Sequence, residues 1–397
     1  MRQHQKEIHA FNPESYVAST VKAMPPSGIR KFFDLVNEME GAISLGVGEP
    51  DFVTPWHIRE ACIYSLESGM TSYTSNKGMP ELRDRISEQM KREAGLEYDP
   101  VEEILITTGV SEAVDLAFRA TLNPGDEVIV PEPCYVAYVP DIVLAGGVPV
   151  TVTTRLSDLF KVRPEEISRA LTRRSKALIL SYPNNPTGAI MSREDLEELA
   201  DVVVENDLMV VSDEVYGKLT YSGRHVSFAQ LEGMQDRTIA LNGLSKSHAM
   251  TGWRVGFALG NSALVSAMTK IHQYTMLCAP VMAQVAALEA LQKGEDGMLA
   301  MKHEYDLRRR LFVSGLNRIG LDCFEPQGAF YAFPSVKETG LTSEAFAEQL
   351  LKKQKVAVVP GNVFGAGGEG FLRCSYATSR EELIEALDRM ETFLKGL

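Results

Sequence analysis

Cysteine is scarce in this 397-residue chain and badly placed for bonding. Cys62, Cys134, Cys278, Cys323 and Cys374 are odd in number and widely spread, and no CxxC occurs. That argues against a disulfide framework or a zinc site and fits a reducing cytosol. Cations are in deficit: 40 Lys and Arg face 53 Asp and Glu, a formal charge of −13. General affinity for nucleic acid or an anionic membrane needs a basic surface, which this balance does not supply. Any anionic ligand must be caught by local cations and backbone amides. Long apolar runs are missing too. The start, "MRQHQKEIHAFNPES", has no apolar core of the kind a signal peptide carries. No window approaches the ~18 uncharged apolar residues of a membrane span. The expectation is a cytoplasmic protein. GxxxxGK[ST], HExxH and GxSxG are absent, so P-loop, zincin and hydrolase-elbow readings lose support. The seven histidines form no ligand-spaced cluster, so no metal is expected.

What is present is an alternation. From about residue 100, apolar strands and amphipathic helices take turns. "EILITTG", "DEVIVPEP", "VPVTVTT", "SKALILSYP", "MVVSDEVY", "RTIALNG" and "GWRVGFALG" read as strands. "SEAVDLAFRATL", "YVAYVPDIVLAGG" and "EEISRALT" read as helices between them. "SREDLEELADVVVENDL" (192–208) is a helix opened by Ser192 with Asp195 three residues on, a capping-box spacing. Near-continuous apolar strands separated by helices imply an α/β fold with a mostly parallel sheet covered on both faces. Ligands of such sheets bind beyond the carboxyl ends of the strands. From about 281 the texture changes to a long helical pattern, then short strands and a closing helix, "SREELIEALDRMETFLKG". The expected division is an N-terminal segment 1–45 packing with a small domain, a large α/β domain 46–285, and a small α+β domain 286–397. "GAGGEG" (365–370) matches G-x-G-x-x-G but precedes a strand-like "FLRCSYA", so it reads as a flexible loop, not a dinucleotide site.

Four loops at strand ends carry unusual polar residues. "TTGVSEA" (107–113) turns at Gly109, and the amides of Val110 and Ser111 open a helix, a ready anion site. Alone, it reads first as an ordinary capped helix start. "SYPNNPTGAI" (181–190) offers Asn184 and Asn185 in a turn. "VVSDEVY" (210–216) puts Asp213 and Glu214 at the end of an apolar strand, where a carboxylate costs several kcal/mol unless paired. Tyr216 follows three residues after Asp213. "LSKSHAMTGWR" (244–254) holds Lys246 and, eight residues later, Arg254. A desolvated lysine becomes a nucleophile toward aldehydes, and an arginine fork suits phosphate. Together these loops supply a phosphate cradle, an aldehyde trap, an acidic partner for a ring nitrogen and polar groups for a phenolic oxygen. Pyridoxal 5'-phosphate needs all of these at once.

"YPNNPTG", "SDEVY" and "SKSHAMTGWRVG" together resemble the class I/II aminotransferases of the fold-type I pyridoxal-phosphate enzymes, near the aspartate/aromatic branch. The resemblance runs from roughly residue 25 to 390. It implies a mostly parallel seven-stranded sheet with a smaller α+β domain. Lys246 resembles the lysine that bonds to the cofactor, next to Ser245. Asp213 is similar to the partner of the pyridine nitrogen. Asn185 and Tyr216 resemble the ligands of the ring oxygen, and Tyr135 the aromatic stacked on the ring. Val110, Ser111 and Arg254 resemble phosphate ligands. Arg373, in "FLRCSYA", resembles the arginine that grips a substrate α-carboxylate, and Gly48, in "LGVGEPDF", a backbone contact to it. Tyr73, in "SYTSNKG", resembles the tyrosine that reaches a neighbouring subunit's phosphate, which implies a homodimer with shared sites.

The implied reaction is ping-pong transfer of an amino group from an L-amino acid to a 2-oxo acid, with 2-oxoglutarate the expected acceptor. In some relatives the "TxGxxxA" loop carries a lysine for a distal carboxylate; here Ser111 stands there. That weakens a strict aspartate preference and leaves aromatic, neutral or broad donors open. A second arginine could come from a partner subunit or from "PPSGIRK" (25–31). A C–S β-lyase would use the same lysine and aspartate. An effector-sensing regulator would need an added DNA-binding module, and the enzyme fold already uses the chain.

Overall fold

The computed structural model describes residues 11–26, 28 and 39–397. Its centre is a seven-stranded sheet in the order β2-β8-β7-β6-β5-β3-β4. The strands are β2 (Ile104–Thr107), β3 (Glu127–Glu132), β4 (Val148–Thr153), β5 (Ser175–Ser181), β6 (Met209–Asp213), β7 (Thr238–Gly243) and β8 (Gly256–Leu259). Pairing is parallel except for β8, antiparallel to both β7 and β2.

The apolar runs follow from burial on both faces. Leu178 pairs with Val210, and Ile179 with Val211. Successive side chains of a strand point to opposite faces. Leu178 and Val210 therefore pack with Leu196, Leu199 and Val203 of the helix Arg193–Glu205. Ile179 and Val211 pack on the other side with Val114, Ala117 and Phe118 of the helix Gly109–Thr121. Both faces are dry, so no polar alternation survives.

A second body of structure lies toward the C-terminus. Helices Glu295–Arg318, Ser343–Gln354 and Arg380–Lys395 surround a three-stranded antiparallel sheet, with β12 (Leu372–Ser375) between β11 (Val359–Pro360) and β9 (Tyr331–Ala332). The early chain is tied to it: β1 (Ile43–Ser44) runs parallel to β10 (Val356–Ala357), and Ile43 and Leu45 join that core.

Several elements are shorter than their patterns predict. The helical pattern from 281 is two helices, because Gly294 caps one at its C-terminus and the next at its N-terminus. The first, Val281–Lys293, turns Ala283, Ala286, Ala287 and Ala290 toward Ile104, Ile106 and Phe257 of the large sheet. The helix in "YVAYVPDIVLAGG" is confined to Tyr138–Leu144, ending before Gly146 at φ 84°. In "GWRVGFALG" only Gly256–Leu259 is strand; Thr251–Trp253 is a 3₁₀ turn and Arg254 takes φ 53°. "GAGGEG" is also not the loose loop its composition predicts. Its Gly367 amide donates to Glu132 Oε1 at 3.3 Å, and an added Cβ on Gly361 or Gly368 would strike the other's backbone. No helix follows it; β12 does.

Candidate active site

β2, β5, β6 and β7 all deliver their carboxyl ends to one edge of the large sheet, and β8, running the other way, begins there. Thr107, Ser181, Asp213, Gly243 and the approach to Gly256 are thus neighbours by topology. The residues that follow those ends line a cavity of about 380 Å³. It collects Gly48, Val110, Ser111, Tyr135, Asn185, Asp213, Tyr216, Ser245, Lys246, Arg254 and Arg373. Of the residues the resemblance assigns to the site, only Tyr73 lies outside it, 81% exposed; Asn184 and Glu214, also singled out from the sequence, are buried and do not line it. The expected extra arginine of "PPSGIRK" is Arg30, which lies outside the described residues.

Lys246 donates from Nζ to the Gly48 carbonyl at 2.7 Å and stands 6.0 Å from the centre of the Tyr216 ring. Poor solvation lowers its proton affinity, and Arg373 and Arg254 add to the effect against Glu49 and Asp213. The ammonium is pulled down to about 8. A neutral amine is within reach near physiological pH, which is what attack on an aldehyde requires.

Asp213 is 6% exposed, at the last position of β6. Its Oδ2 accepts from the Tyr138 hydroxyl at 2.7 Å and its Oδ1 from the Val215 amide at 3.2 Å. Burial outweighs these donors and pushes its carboxyl above the ordinary range. Such a group is stabilised by a cation placed against it, such as a protonated ring nitrogen. Glu214 beside it behaves differently. Burial would raise it, but His225 (3.1 Å), Ser227 (2.7 Å) and Ser212 (2.9 Å) hold it below the usual carboxylate range. It is a satisfied structural carboxylate.

Arg373 is 2% exposed on β12. It donates to Gly46 O at 2.5 Å and Asn185 Oδ1 at 3.1 Å, and lies over the rings of Tyr331 (4.7 Å) and Phe364 (5.0 Å). Its buried Nε has no partner among the described residues. A cation so held, with donor capacity unused, suits a carboxylate. Gly48 lies close by: an added Cβ would come 3.0 Å from the Tyr331 hydroxyl and 3.7 Å from Arg373 Nη1. The Tyr216 and Tyr331 hydroxyls meet at 2.7 Å, and burial keeps the Tyr216 phenol firmly protonated.

The anion cradle is built from backbone. The helix Gly109–Thr121 starts at the cavity wall, so its first amides have no helical partner. Glu112 reaches back to the Thr108 amide and is held by His272 at 2.7 Å. Arg254 Nη1 donates to the Thr251 carbonyl at 2.9 Å, and an added Cβ on Gly109 would overlap its guanidinium. Gly256 is equally constrained: a Cβ there would come within 2.7 Å of Gly109 C and Val110 N.

Pyridoxal 5'-phosphate fits these residues. An amine of low proton affinity, a buried carboxylate lacking a cation, an anion cradle with an arginine, and an arginine with an unpaired Nε share one cavity. Tyr135 lines the same wall, its ring edge-to-face with Tyr138 at 5.6 Å.

Tyr138, Tyr331, Thr251 and Asp141 also line the cavity and were not expected there. Tyr138 sits three residues after Tyr135, at the first position of the helix Tyr138–Leu144, a spacing that could have drawn attention to it. Tyr331 and Asp141 carry no local signal. His248, buried against Ser247 at 2.8 Å, serves packing.

The comparisons with known proteins agree with this geometry. The family described as "Aminotransferase class I and II" matches residues 40–390. The Bacillus subtilis protein YugH is 54% identical over 380 residues, 96% of this chain and 98% of its own length. The aspartate aminotransferase of Pyrococcus abyssi is 46% identical over 373 residues, covering 93% and 96%. The crystal structure of an aromatic aminotransferase from Pyrococcus horikoshii OT3 superposes with a TM-score of 0.88 at 46% identity, covering 92% of this chain and 99% of that one.

Proposed function

The chain belongs to the class I and II aminotransferases and is a pyridoxal 5'-phosphate-dependent transaminase acting on small amino and oxo acids, and from that premise we propose how its residues divide the work. Lys246 would bond to the cofactor's aldehyde, and its amine, when free, would carry the proton removed from substrate Cα. Asp213, steadied by Tyr138, faces the ring nitrogen. Asn185 and Tyr216 hold the ring oxygen, and Tyr135 covers the ring face. Val110, Ser111, Ser245 and Arg254 hold the phosphate. Arg373, with Gly48 and Asn185, binds the substrate α-carboxylate. When bound, the cofactor supplies an electron sink for the charge left on Cα. The observation that carries this reading is Lys246, with its proton affinity down to about 8, in one cavity with buried Asp213 and Arg373.

The acceptor we propose is 2-oxoglutarate, and the assembly a cytoplasmic homodimer in which Tyr73 reaches the neighbour's phosphate. We take residues 46–285 as the cofactor-binding domain and 286–397 as the small domain; of the N-terminal segment 1–45 expected to pack with the latter, residues 1–10, 27 and 29–38 lie outside the described residues, and Ile43 and Ser44 pair with Val356 and Ala357 of the small domain. The relatives named above are an aspartate and an aromatic aminotransferase, so their names do not converge on one donor. A panel of L-amino acids with 2-oxoglutarate tests the assignment. Glutamate is expected to form in step with the new oxo acid. Pyruvate released from cysteine S-conjugates without glutamate would make the enzyme a C–S β-lyase instead.

A further inference from the structure

The Tyr331 hydroxyl is unused by the assignments above. The small antiparallel sheet fixes its place. β9 pairs with β12 so that Tyr331 lies opposite Ser375, two residues along the strand from Arg373 and on the same face. The Tyr331 ring lies 4.7 Å from the Arg373 guanidinium and meets the Tyr216 ring edge-on at 5.8 Å. Tyr331 is fully buried in the cavity wall, with its hydroxyl beside Gly48. Among the described residues that hydroxyl makes one hydrogen bond, to the Tyr216 hydroxyl at 2.7 Å. Burial raises both phenols, so each keeps its proton. A phenol has one proton to give. If Tyr216 gives its proton to the cofactor's ring oxygen, an anionic acceptor, its own oxygen is left to accept, and Tyr331 is the donor placed to fill it. Hydrogen bonds in such a chain polarise and strengthen one another where water is excluded.

We propose that Tyr331 is a positioning residue for the cofactor's ring oxygen: its hydroxyl donates to Tyr216 and so strengthens the hydrogen bond that Tyr216 gives to that oxygen. The proposal rests on the reading above that Tyr216 holds the ring oxygen. Tyr331 acts through Tyr216 and carries no proton in the reaction.

The test is a spectroscopic pH titration of the holoenzyme without substrate. With the cofactor bonded to Lys246, the visible band follows the proton on the shared nitrogen. The charge on the ring oxygen is least balanced once that proton leaves, so a donor to the oxygen lowers the nitrogen's proton affinity. Tyr216→Phe should raise the midpoint by about 1–2 pH units, the loss of one hydrogen bond to a charged group. Tyr331→Phe should raise it by about 0.5 pH unit, the share a neighbouring bond adds. The double variant should match Tyr216→Phe alone, because the effect of Tyr331 passes through Tyr216. An unchanged midpoint in Tyr331→Phe, with Tyr216→Phe shifted, overturns the proposal and leaves the role of Tyr216 standing. A double variant shifted by the sum of the two also overturns it, since Tyr331 would then act by another route. An unchanged midpoint in Tyr216→Phe overturns the underlying reading, and the role of Tyr331 falls with it. If Tyr331→Phe does not fold, 3-fluorotyrosine at position 331, a stronger donor of the same shape, decides the case: the midpoint should fall, and a midpoint that stays or rises overturns the proposal.

Discussion

Lys246 owes its chemistry to poor solvation. In the unfolded chain its ammonium keeps the ordinary value of 10.5; in the fold it falls to about 8. Between those pH values the unfolded chain binds more protons. This group's contribution to the stability of the cofactor-free protein therefore rises with pH across that window. The same lowering sets the rate of cofactor capture, because only the neutral amine attacks an aldehyde. Capture of pyridoxal 5'-phosphate, followed by stopped-flow absorbance, should accelerate as pH rises through about 8 and level off above it. A flat profile would mean that another amine reacts. Lys246→Ala should lose the covalent adduct and slow turnover by at least about 10²–10⁴-fold. At this scale much was legible. Lysine, aspartate and arginine at strand ends are costly unless they serve something, so residue type and position already pointed to them.

Elements depend on caps and close approaches. Ser192 Oγ accepts the Asp195 amide at 3.2 Å, and Asp195 Oδ2 accepts the Ser192 amide at 2.8 Å, closing the capping box that the spacing predicts. Ser192→Ala should destabilise the protein by about 1 kcal/mol. Chemical denaturation should show this as a lower midpoint with an unchanged slope; no shift would leave the helix start to the Lys161–Asp195 ion pair alone. The cap was readable because its signal spans four residues. The shortened strand before Leu259 was not. Arg254 leaves the extended region to donate to Thr251, and Gly256 must stay bare so that Gly109 and Val110 can approach. That demand comes from residues about 150 positions away, and no local periodicity carries it.

At the scale of the molecule, surface aromatics matter. Trp56 is 57% exposed, Tyr64 70%, Tyr73 81% and Tyr274 87%. In the proposed homodimer these aromatics would be candidates for burial against the partner subunit, and the assembly's mass tests that assembly. Sedimentation should give twice the chain mass of 43.8 kDa. Tyr73→Phe should leave that mass unchanged but weaken cofactor retention by about tenfold, the loss of one hydrogen bond to a charged group. A monomer that retains the cofactor normally would rule out a shared site. Among the described residues no helix is long and apolar enough to cross a membrane. The amino-acid order alone determined the alternation of strand and helix, the capping box and the identity of the reactive side chains, because each is written in residues a few positions apart. Only the tertiary structure decided which groups meet. Lys246 finds Gly48 across 198 residues, Arg373 finds Gly46 across 327, and Tyr138 finds Asp213 across 75. Such contacts are chosen by how helices settle on an open, doubly covered sheet, and packing of that kind leaves no periodic trace along the chain.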